Sequence, residues 1–73
     1  MLKAVLVEVE HAEEFHAAFD GQPVEGVDAF CVDPLFKRYE FNFPAPPGTA
    51  RGRHEVRVWL GKRAFAPVAI EVA

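Results

Sequence analysis

Residues 52–61 read Gly-Arg-His-Glu-Val-Arg-Val-Trp-Leu-Gly, and their strict alternation constrains the fold more than any other stretch of the chain. Successive side chains of a strand point to opposite faces, so His54, Val56, Val58 and Leu60 turn toward a core while Arg53, Glu55, Arg57 and Trp59 turn away. One apolar and one polar face, bounded by glycines, describe a central strand of an antiparallel sheet. The rest of the chain must supply neighbours for it.

Those neighbours come from 73 residues, room for a single domain spanning 1–73. A domain of that size buries only about 60% of the surface its unfolded chain exposes, so it is marginal without help. A lone cysteine, Cys31, closes no internal disulfide, and no two Cys/His pairs have zinc-site spacing. The help comes instead from composition: 51% of residues are hydrophobic, among them seven Phe, one Trp and one Tyr. That is enough to fill a small core and argues for an ordered domain over a disordered tail.

Charge is divided along the chain. Residues 1–33 carry one Lys against eight acids, and residues 34–73 carry seven bases against three acids. The simplest reading lays the two halves side by side with their charges complementary across strands, and steering by a basic face is the alternative. A net charge of −3 argues against nucleic acid as the main partner. The apolar runs are too short for a membrane span, and the first residues lead into Glu8 and Glu10 rather than into a signal sequence. The compartment stays open.

Taken in order, residues 2–10 alternate as a first strand, with Val5, Val7 and Val9 on one face and Ala4, Leu6, Glu8 and Glu10 on the other. Residues 11–21 fit two readings. A short helix would gather Ala12, Phe15 and Phe19; a strand would gather Phe15, Ala17 and Phe19 and end in Asp20-Gly21, the dipeptide that closes a tight hairpin onto Gln22-Pro23-Val24. The strand is preferred because it extends a sheet without needing turns on both sides of a short helix. Residues 27–33 form another apolar run with acids at its ends, and neither face is clearly the inner one. Beyond the Asp33-Pro34 turn, Lys37, Tyr39, Phe41 and Phe43 alternate with Phe36, Arg38, Glu40 and Asn42, a strand with an aromatic inner face.

Residues 44–52 hold three prolines and two glycines and make a loop suited to a crossing between two sheets. After the 52–61 strand, Gly61-Lys62-Arg63 turns the chain into a last strand with Val68, Ile70 and Val72 inward and Ala69 and Glu71 outward. The sum is five to seven short strands, the pattern of a small, all-β, antiparallel β-sandwich.

Pro46-Pro47-Gly48, the 52–58 strand, Leu60-Gly61 and Pro67-Val68-Ala69-Ile70-Glu71-Val72 resemble the last two strands of bacterial immunoglobulin-like modules. There a Pro/Gly corner leads to G-x-x-x-V-x-V, then through a hairpin to P-V-x-I-x-V. The resemblance covers about the last 30 residues. It implies an immunoglobulin-like β-sandwich short of one or two strands, without the paired cysteines of antibody domains. It also implies an accessory role: such modules space, dock or bind within larger bacterial proteins, and the family supplies no catalytic residues.

No motif in the chain carries chemistry. His11 and His16 lie five apart, on opposite faces of a strand or about 140° apart on a helix, a poor arrangement for one metal ion. Cys31 has no base at catalytic spacing and reads as a small buried hydrophobe. His54 reads as a hydrogen-bonded strand-end histidine, and the absence of serine removes a serine triad. The expectation is a protein that is not an enzyme and uses no cofactor.

Trp59 is the exception that points to binding. It stands outward among charged residues with Arg57 two positions before it, close enough to stack, and Trp and Arg are enriched at interface hot spots. The bland reading has Trp59 covering the stems of its neighbours. The binding reading makes it an anchor for a protein partner or for a second copy in a homodimer. A rival reading has Trp59, Arg57 and Arg53 grip a sugar or an anion. The two are told apart by shape, a flat face for a protein and a cleft with convergent polar groups for a ligand.

Overall fold

In the computed structural model, which describes residues 1–72, the alternating stretch is a nine-residue strand, β6 (Gly52–Leu60), at the centre of the larger of two sheets. The other strands are β1 (Leu2–Leu6), β2 (Phe15–Phe19), β3 (Gln22–Pro23), β4 (Asp28–Asp33), β5 (Arg38–Phe43), β7 (Arg63–Ala64) and β8 (Val68–Val72). The total exceeds the expected five to seven because β3 and β7, two residues each, qualify as strands. β1, β5 and β4 form an antiparallel sheet in that order, and β3, β2 and β6 form the second, with β7 and β8 both on the far side of β6. The protein is all-β, two antiparallel sheets of three and five strands, with one 3₁₀ turn at Ala12–Glu14.

β6 is shared end to end. Its C-terminal half pairs with β2 from Val56↔Phe19 to Leu60↔Phe15, and its N-terminal half pairs with β8 from Gly52↔Val72 to Val56↔Val68. The alternation has its predicted sense, since Val56 and Leu60 are buried, His54 and Val58 half-buried, and Arg53, Glu55 and Arg57 exposed. The 11–21 segment resolves as the strand: Phe15, Ala17 and Phe19 are buried on one face. Asp20 (φ 50°) and Gly21 (φ 83°) then close a two-residue hairpin onto β3. Both turn residues are left-handed, the geometry that matches strand twist and that Asp-Gly tolerates best.

The first strand departs from the expected single run. β1 ends at Leu6, and it is Leu2, Ala4 and Leu6 that turn inward, leaving Val5 and Val7 exposed. Glu8 has φ 57°, which breaks the alternation, and Val9 is consequently buried although Val5 and Val7 are not. Backbone bonds from Glu8 to the Phe36 carbonyl and from Val9 to the Lys37 carbonyl hold this corner. The Arg63 guanidinium donates to the carbonyls of Val7 and Glu8.

The core lies between the sheets. Phe41 and Phe43 of β5 meet Phe15 and Phe19 of β2 and Val56 and Leu60 of β6, and the Phe15 and Phe41 rings stack at 4.0 Å. The loop 44–51 carries the chain from one sheet to the other, as its prolines suggested. The charge halves also meet: Glu10 pairs with Lys37, and the acidic-half strand β2 lies beside the basic-half strand β6. One residue expected to face inward is open, and so is the strand whose inner face the sequence left undecided. Val68 is 58% exposed at the start of β8, and every residue of β4 except Asp33 is exposed, because β4 forms a sheet edge.

Candidate protein-interaction face

The outward row of β6 is displayed by the register of its neighbours. Trp59 stands between His16 of β2 and Ala64 of β7, Arg57 beside Ala18, Glu55 beside Ala69, and Arg53 beside Glu71. Side chains on one face of a strand repeat about every 6.8 Å, so Trp59 and Arg57 are neighbours while Arg53 lies roughly 20 Å from Trp59. The structure therefore brings two of the three candidate residues together and not the third.

The partner of Trp59 is not the one its sequence neighbours suggested. The indole stacks on the His16 ring, with centroids 4.9 Å apart and planes 8° from parallel. The Arg57 guanidinium instead donates to Glu55 Oε1 at 3.2 Å. His16 was invisible in this role from sequence because only the β2–β6 register places it opposite Trp59. The result is a broad aromatic plate, half-buried at Trp59 and exposed at His16, flanked by an Arg–Glu pair. Trp59 and Arg57 line none of the five principal clefts among the described residues, whereas Arg53 lines one at the other end of the strand.

That other end holds a polar cluster that joins distant parts of the chain. The His54 side chain, 12% exposed, has Nδ1 at 2.5 Å from Asp20 Oδ2 and Nε2 at 2.7 Å from the Ala50 carbonyl. Both ring nitrogens face acceptors, and only the imidazolium donates to both. The Asp20 carboxylate and then the Ala50 carbonyl accordingly raise the His54 pKa above its ordinary 6.5. The Glu55 amide, donating to Asp20 Oδ1 at 2.8 Å, and then His54 hold Asp20 below its ordinary 3.8. The cluster pins the Asp20-Gly21 hairpin turn to β6 and to the loop before it, with its acid and base engaged in structure.

A pH dependence follows with a definite sign. The His54 contribution to stability is full below the unfolded value of 6.5 and is lost as pH rises through the raised folded value. The Asp20 contribution is full above 3.8 and is lost as pH falls through the lowered folded value. Melting temperature is therefore expected to decline from mildly acidic to alkaline pH, and His54→Gln should flatten that decline. An unchanged alkaline slope in the variant would refute the assignment.

The remaining candidates are separated. His11 pairs with Glu13 at 3.3 Å, while His16 is engaged by Trp59. Cys31 is exposed on the edge strand β4, correcting its reading as a small buried hydrophobe: its neighbour strand β5 lies on one side only. Comparisons with protein-family models, with curated proteins and with solved structures find no match to this chain.

Proposed function

We propose that the chain is a non-catalytic, immunoglobulin-like accessory module that binds a protein partner through the outward face of the five-stranded sheet. The fold reading is supported by strand order. In constant-type immunoglobulin domains the sheets run A-B-E-D and C-F-G. Here β1-β5-β4 corresponds to B-E-D and β2-β6-β8 to C-F-G, with no strand in the A position among the described residues.

The observation that carries the functional reading is the Trp59–His16 plate, aromatic and only half-covered on an open sheet face outside every principal cleft. Flat aromatic surface with a nearby Arg suits a protein interface, where such residues dominate binding energy. A sugar or anion would need Trp59, Arg57 and Arg53 to converge, and a separation of roughly 20 Å along the strand weighs against it. The partner is another protein, a neighbouring domain of the parent protein, or a second copy of the chain.

Trp59→Ala should weaken that association by about 2 kcal/mol, roughly 30-fold, while leaving the fold intact. The direct measurement is sedimentation of parent and variant, alone across a concentration series and with the products of flanking genes. Equal affinities for parent and variant with every partner that binds would sink the reading.

A further inference from the structure

A second surface, away from Trp59, is incomplete as it stands. β1 is an edge of the three-stranded sheet and β8 an edge of the five-stranded sheet, and the two edges border one apolar groove of about 330 Å³. Its walls include Leu2, Ala4 and Leu6 of β1, Phe43 and Val58 behind, and Ile70 of β8. Val68 at its mouth is 58% exposed and Val5 on β1 is 53% exposed. A closed sandwich would cover this seam.

We infer that the seam is the dimerisation surface of the protein, occupied by the same seam of a second copy. The molecule exposes more surface than its mass requires. The accessible surface is 5145 Å², whereas a compact monomer of this mass exposes about 4500 Å². That excess is shared over the whole surface, and a standard interface would take roughly 800 Å² from each partner.

The edges are also self-complementary. A two-fold axis perpendicular to the sheet at Ala4 pairs β1 antiparallel with its copy, setting Leu2 opposite Leu6 and Lys3 opposite Val5, so no like charges meet. The β8 edge is self-complementary in the same way. Centred on Ile70, two copies set Glu71 opposite Ala69, again without like charges. Lys3 is occupied by Glu40 at 3.3 Å, and β1 contains no proline or bulge to discourage edge pairing. The two grooves merge into one apolar interior, and the three-stranded sheet becomes six-stranded.

The test is sedimentation across a concentration series for the parent, Val5→Lys, Val32→Lys and Trp59→Ala. Val5→Lys sets lysine against Lys3 twice across the axis, while within its own copy it sits opposite Glu40, so the monomer fold is retained. The inference expects a parent dimer weakened about tenfold or more by Val5→Lys and unchanged by Val32→Lys on the opposite edge. Ala4→Cys in a Cys31→Ala background should then cross-link as a dimer on oxidation, reading out the register. A parent that stays monomeric at every concentration overturns the inference. A dimer that survives Val5→Lys but is lost on Trp59→Ala or Val32→Lys overturns it as well, and loss on Trp59→Ala would place self-association on the β6 face instead.

Discussion

Phe41→Ala is expected to leave most of the chain unfolded at room temperature. Phe41 is 0% exposed, and its ring lies on Phe15 of the opposite sheet at 4.0 Å, with Tyr39 at 6.1 Å along its own strand. Truncating a buried phenylalanine costs about 3–5 kcal/mol through lost transfer energy and the cavity left behind. At about 0.05–0.15 kcal/mol per residue, the whole domain has about 4–11 kcal/mol to lose. With nine buried apolar side chains among the described residues, it belongs toward the low end. A urea titration followed by circular dichroism decides the matter: a midpoint matching the parent would show that the Phe15–Phe41 stack does not join the sheets.

Leu60→Asp should be equally severe at neutral pH, by a different route. Leu60 is 6% exposed, opposite Phe15 in the register and within the main core cluster, whose members carry no base. A carboxylate there loses its hydration without gaining a partner, a cost of several kcal/mol. Burial disfavours the charged form and raises the carboxyl pKa, so protonation should relieve part of the damage as pH falls. The variant is expected to be unfolded at neutral pH and to regain some structure under mildly acidic conditions. A parent-like cooperative melt at neutral pH would contradict the inward facing of this row.

The sequence was most legible where one periodicity and one turn signal agreed. In β6 the alternation of valines with charges set both faces correctly, and Asp20-Gly21 identified the β2–β3 hairpin. β5 declared its aromatic inner face in the same way. Legibility failed where the backbone leaves its usual region without a glycine to announce it: Glu8, left-handed, ended the alternation that Val5, Val7 and Val9 seemed to continue. It failed too where exposure depends on which strand is an edge, as at Cys31 and Val68. The candidate face was half legible. Trp59 and its outward orientation followed from alternation, but His16 became its stacking partner through a register that no local pattern encodes.

The pairing of β6 with both β2 and β8 has a consequence for the order of assembly. All three strands of the smaller sheet lie within the first 43 residues, so that sheet has its full complement while the chain is still being synthesised. The larger sheet has no such independence. Until residues 52–60 arrive, β2 has only the two-residue β3 beside it, and Phe15, Ala17 and Phe19 have half a core to face. The last third of the chain therefore acts as a clasp: a product truncated before β6 would retain the strands of one sheet and display the apolar face of the other to whatever lies nearby.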